Sequence, residues 1–146
     1  MYDLALLVHI LAATVWTGGH LVLALTILPR ALRENDIAFL SRFEEGYEKI
    51  GIPALVLQVL SGLYLSLRWL PEWSQWLDFA NPVSRIVTIK LILLGCTLAL
   101  AADARFRLIP KLSPDNIRPL AWHIVPVTVV SVLFVIAGVS FRTGWL

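Results

Sequence analysis

Charge is what this sequence has least of. Asp, Glu, Lys and Arg make up 15% of its 146 residues, against roughly 25% in an ordinary soluble domain. It has one cysteine, Cys96, which excludes an internal disulfide and any CxxC metal site and reads as a small core residue. There is no GxGxxG, no phosphate-cradling P-loop, no acidic cluster suited to hard cations and no Ser/His/Asp set. Nucleotide chemistry, triad hydrolysis and nucleic-acid binding therefore have no residues to carry them.

What is present is apolar sequence in long runs. Hydrophobic residues are 58% of the chain, more than a domain of this length can bury in water. Residues 1–29 hold a single charge, Asp3, and further runs follow at 50–67, 86–102 and 119–141. Each approaches the roughly 20 residues that a helix needs to cross the hydrocarbon layer. The fold class expected is all-α: one integral membrane four-helix bundle over 1–146, with helices at about 3–28, 50–68, 83–103 and 119–141. The first run has no basic lead-in and outlasts a signal-peptide core, so it reads as a permanent helix. Pro29 is expected to end it, and Pro119 to sit in the first turn of the fourth helix. At 36–49, Ile37, Leu40, Phe43 and Tyr47 recur at helical spacing opposite Arg42, Glu44, Glu45 and Glu48, which predicts an amphipathic lead-in to helix two. Trp69, Trp73 and Trp76 share one face of a short helix and suit the lipid–water interface.

The basic residues suggest an orientation. Arg30, Arg33, Arg42 and Lys49 in loop one and Arg105, Arg107, Lys111 and Arg118 in loop three are eight of the twelve Lys and Arg. Positive charge stays on the cytoplasmic side, so both termini and the tryptophan loop are expected to face outward.

Three histidines carry what chemistry there is. An imidazole inside a membrane run is costly unless paired or ligated; the alternative for each is a helix–helix hydrogen bond. His9 and His20 are eleven residues apart, so they share a face of helix one and stand roughly 16 Å apart along it. His123, one turn into helix four, falls at the depth of His20, and the two are placed to hold one metal ion or one haem between them. His9 then becomes a second, outward site or a relay. Imidazole suits several metals and haem iron, whereas soft copper(I) prefers thiolate and thioether, for which only Cys96 and Met1 are available. Trp16 stands between the two histidines as a packing group or a cofactor edge. Lys90 either snorkels or binds a carboxylate or propionate. Gln58 and Ser61 read as inter-helix hydrogen bonds. Gly62, Ser66, Gly138 and Ser140 are compatible with a homo-oligomer.

The stretch Leu7-Val8-His9-Ile10-Leu11 through Val15-Trp16-Thr17-Gly18-Gly19 resembles the first helix of the copper-resistance D (CopD-like) membrane family. Residues 85–112, with Ile89-Lys90-Leu91 and Ala104-Arg105-Phe106-Arg107-Leu108-Ile109-Pro110, are similar to that family's later helix and its basic exit. The resemblance implies copper uptake or resistance at a bacterial inner (plasma) membrane, with a copper-donor or redox partner. A second pattern is similar to the membrane protoporphyrinogen oxidase family: a His-and-Trp helix, the exit Leu28-Pro29-Arg30 and Pro53-Ala54 in the next helix. The chain departs from it at Leu120-Ala121-Trp122-His123. Two expectations follow: a copper-homeostasis protein using His9, His20 and His123, or a b-type haem redox protein with His20 and His123 as axial ligands. Whether the chain is an enzyme stays open.

Overall fold

The computed structural model describes residues 1–108, 110 and 117–145; Lys111 and Pro114 of the third loop lie outside them. The described residues form helices and no strands. In chain order these are α1 (Tyr2–Val22), α2 (Leu28–Glu34), α3 (Ile37–Trp69), α4 (Pro82–Asp103) and α5 (Ile117–Thr143). They make four candidate membrane spans, Tyr2–Glu34, Ile37–Trp69, Pro82–Leu108 and Pro119–Thr143. The protein is a multi-pass membrane four-helix bundle.

Pro29 does not end the first span. A five-residue π-helical turn, Leu23–Ile27, leads from α1 into α2, with Leu28 N–H bonded to Leu23 O. Pro29 has no N–H to give to the carbonyl four residues back, and a wide turn absorbs that loss. The helix instead stops at Asn35, whose left-handed backbone (φ 51°) breaks the run as such C-caps do. Asp36 then caps α3 by accepting from Phe39 N–H at 2.9 Å. The expected lead-in and helix two are therefore one continuous helix of 33 residues.

Lipid is the outer solvent of this bundle, and its interior is correspondingly polar. Leu4, Leu7, Ile10, Leu25, Ile52, Leu60, Ile92 and Val129 are exposed, while Thr17, Ser61, Ser84, Thr88, Thr97, Thr128, Ser131 and Ser140 are buried. Several of these hydroxyls bond across helices. Thr17 Oγ1 donates to Ser131 O at 3.3 Å and Thr128 Oγ1 to His20 O at 3.2 Å, tying α1 to α5 as polar side chains do in bilayers. Cys96, expected in the core, is exposed on the outer face of α4. Gly62 faces the His9 ring and Gly138 faces Lys90, so both are spent inside the bundle.

The tryptophan loop is a cap. Trp76 is buried with Leu70 and Val87 and donates Nε1–H to Leu70 O at 3.0 Å. Trp73 lies against it at a tilt of 38° with ring centroids 4.5 Å apart, and Trp69 lies exposed against Phe141. The three indoles thus divide between interface and core instead of lining one face.

The helices pack in the order α3–α1–α5–α4. Since α3 and α4 are the outer members, a gap opens between them at the end of the bundle that carries Glu34, Ile37 and Leu108. The second π-helical turn, Ala104–Leu108, lies at the same end.

Candidate metal centre

That gap is a cavity of about 390 Å³, within the size range of small-ligand sites. His20 and His123 both line it, together with Trp16, Glu44, Tyr47, Glu48, Thr97 and Arg105. Two histidines on different helices therefore border one cavity, but not at one level: Thr128 Oγ1 bonds to His20 O at 3.2 Å, which sets His20 about five residues, or roughly 7 Å, deeper than His123. The arrangement is not a closed coordination sphere. Among the described residues, no group of three or more His, Cys, Asp or Glu could hold a metal ion.

His20 is the best-held ring. It is buried, and its Nδ1 is 2.8 Å from Trp16 O. A carbonyl only accepts, so Nδ1 carries the proton in that bond and Nε2 keeps the lone pair. Tyr47 Oη donates to Trp16 O at 2.8 Å and stands 3.3 Å from Nδ1. The Trp16 ring lies against the imidazole at 4.3 Å between centroids, and Tyr47 meets it edge-on at 5.5 Å. Four contacts thus fix the plane of one imidazole. Trp16 and Tyr47 position; they contribute no ligand atom of the usual kind.

His123 is held differently. Its Nε2 lies 2.6 Å from Asp103 Oδ2, and Nδ1 is 3.3 Å from Pro119 O, at the long end of hydrogen-bond geometry. Asp103 also takes Arg107 Nη1 at 2.6 Å. The carboxylate therefore ties the end of α4 to the start of α5. A second ion pair, Arg105 Nη1 to Glu48 Oε1 at 3.7 Å, bridges α3 and the end of α4 at the rim of the cavity.

His9 stands apart. Its Nδ1 is 3.0 Å from Gln58 O and 3.1 Å from Ser61 Oγ, and it packs over Gly62. This is the inter-helix bond considered as its alternative reading, and it joins α1 to α3 near the opposite end. Lys90 Nζ lies beside Gly138 on α5 and is not among the residues that line the cavity. Gln58 Oε1 is buried without a hydrogen-bond partner among the described residues.

Asp103, Tyr47, Glu44 and Glu48 are the residues that sequence reading missed. Asp103 did have a signal: it is the one acidic residue at the end of an apolar run, on the helix before His123. Tyr47 had none beyond its place in the amphipathic stripe.

A family model described as CopD, copper resistance protein D, matches residues 38–141. The matched span holds Tyr47, Asp103 and His123, and α1 with His9, Trp16 and His20 precedes it. No curated protein and no solved structure matches the chain.

Proposed function

The chain belongs to the copper resistance protein D family, and on that premise we propose that its cavity binds copper in transit across a bacterial plasma membrane. The observation that carries this is the His20 ring: Nδ1 is anchored on Trp16 O at 2.8 Å, and the ring borders a cavity shared with His123. Metal-binding histidines characteristically give their second nitrogen to a carbonyl or carboxylate. Both cavity histidines have such a partner, Trp16 O for His20 and Asp103 Oδ2 for His123. On this reading His20 Nε2 and His123 Nδ1 are the donors, the latter after giving up its long contact with Pro119 O.

The donor chemistry fits an ion that is passed on better than one that is stored. Imidazole suits copper, but the thiolates and thioethers that hold copper(I) tightly do not line this cavity. Conduction needs a site weak enough to release its ion. Glu44 and Glu48 are the carboxyl groups of the cavity, and the Arg105 pair on Glu48 must yield for an ion to use that carboxylate. His9, about three turns away on the same helix, would be a second position toward the other membrane face. Retention of basic loops on the cytoplasmic side supports a cytoplasmic cavity with the termini outside. Haem b between His20 and His123 is the less favoured occupant, because the Nε2 of His123 is turned to Asp103 at 2.6 Å.

Elemental analysis of detergent-purified protein loaded with copper and desalted tests this. About one copper per chain is expected. It should be lost in His20→Ala, reduced in His123→Ala and kept in His9→Ala, with helix content by circular dichroism unchanged. Equal copper in wild type and His20→Ala sinks the proposal, and a Soret band would replace it with haem.

A further inference from the structure

On the far side of Tyr47 from the cavity lies a second concavity, and nothing in the copper reading uses it. It is an open groove of about 600 Å³ between α1 and α3. Val15, Gly18 and Val22 form one wall; Phe43, Gly46 and Ile50 form the other, and Arg42 stands at one end. We propose that this groove holds one acyl chain of an anionic phospholipid whose phosphate is bound by Arg42.

The chain does not fill the groove itself. A Cβ built on Gly18 or Gly46 meets nothing within 4 Å, whereas one on Gly19 or Gly51 runs into the Tyr47 ring. Two glycines therefore back onto the protein interior and two open outward. The remaining polar groups in the groove are already satisfied: Thr14 Oγ1 donates to Ile10 O at 2.9 Å, and Tyr47 Oη donates to Trp16 O at 2.8 Å. Arg42 is the exception. Its Nε donates to Ala38 O at 3.1 Å, and among the described residues it has no carboxylate within salt-bridge reach.

Length and charge select the occupant. Thr14 to Val22 and Arg42 to Ile50 each span about 12 Å of helix, close to the roughly 15 Å depth of one leaflet. An apolar channel one leaflet deep with a guanidinium at the headgroup end matches a phospholipid, since Arg binds phosphate oxygens in a two-pronged fashion. A helix from a second copy would have to cross both leaflets. A basic residue at the membrane surface contributes about 1 kcal/mol toward anionic lipid, which is roughly a five-fold preference.

Native mass spectrometry of the full chain in mild detergent reads this directly, with phosphatidylglycerol and phosphatidylcholine of matched acyl chains added in equal amounts. Wild type should carry one lipid, phosphatidylglycerol over phosphatidylcholine by about five-fold. Arg42→Gln should bind both equally, while Arg33→Gln keeps the preference. Gly46→Leu fills the groove and should lose the lipid altogether; Gly18→Leu does the same from the other wall, in case one variant folds poorly by circular dichroism. Lipid retained in both leucine variants overturns the proposal. So does equal binding of the two lipids by wild type, or a wild-type dimer that Gly46→Leu disperses, which would make the occupant a second copy.

Discussion

Gly18 and Gly19 are neighbours on one helix, yet alanine should have opposite effects at the two. In a helix interior Ala is favoured over Gly by about 1 kcal/mol. At Gly18 the new methyl enters open space, so Gly18→Ala should stabilise by up to about that amount. At Gly19 the methyl overlaps the end of the Tyr47 ring, so the ring must swing out of its seat between α1 and α3. Moving the ring also breaks the bonds from Tyr47 Oη to Trp16 O (2.8 Å) and Val15 O (3.3 Å). Overpacking costs about 1–3 kcal/mol, and hydrogen bonds of this kind in a membrane protein average about 0.6 kcal/mol. Gly19→Ala should therefore be destabilising by about 1–2 kcal/mol after the propensity gain. Reversible SDS unfolding in mixed micelles measures both variants. The pair Gly19→Ala with Tyr47→Leu should recover part of the loss, as contacting residues do in a double-mutant cycle. If both glycines respond with the same sign, the packing of Tyr47 between α1 and its own helix is wrong, and so is its role in orienting His20.

Three further outcomes follow from the side-chain contacts. Asp103→Ala, which leaves both imidazoles in place, should weaken copper binding about 10- to 100-fold by competition titration, the usual cost of losing a partner behind a metal-bound histidine; an unchanged affinity would detach His123 from the site. His9→Ala should lower stability by about 0.6 kcal/mol in SDS unfolding and slow copper uptake into proteoliposomes, while the copper bound per chain stays constant. Trp76→Ala removes a buried indole and should cost about 3–5 kcal/mol, whereas Trp73→Ala, at an exposed ring, should cost far less in the same assay.

The four spans were legible because their signal is long and redundant: twenty apolar residues survive any single misreading. Their ends were less so. Pro29 looked like a stop, but a proline ends a helix only if the chain has no other way to accommodate the missing bond, and the π turn at Leu23–Ile27 is such a way. The Asn35–Asp36 pair was the true boundary, a left-handed cap followed by a side-chain cap. The site was legible as one half of the bundle and not in its partners. Helical rise put His20 and His123 in the same half, but the count began from Pro29, which is not where the span ends, and it is Thr128, five residues past His123, that bonds to His20 O. Partnership depends on rotation about each helix axis, which packing decides. That is why His9, on the same face as His20, meets Ser61 and the Gln58 carbonyl, and why Lys90 lies beside Gly138 instead of lining the cavity. Cys96 misled for the same reason. In a soluble bundle a small apolar residue mid-helix is usually turned inward, but here the lipid accepts it and the interior is kept for hydroxyls.

The two histidines of α1 also suggest how one helix can serve two positions. In each ring Nδ1 faces a backbone carbonyl, Trp16 O for His20 and Gln58 O for His9, which leaves Nε2 as the nitrogen with a lone pair in both. The carbonyls differ in origin. His20 leans on the preceding turn of its own helix, so that hydrogen bond travels with α1. His9 leans on α3, so its orientation depends on how the two helices sit. A small slide of α1 along α3 would loosen His9 and leave the bond between His20 and Trp16 intact. On the copper reading, the inner ring keeps its carbonyl through such a slide, although its Tyr47 contacts would shift, and the outer ring loses its own. The ordering follows from which helix supplies each carbonyl, and it holds whichever way the ion travels.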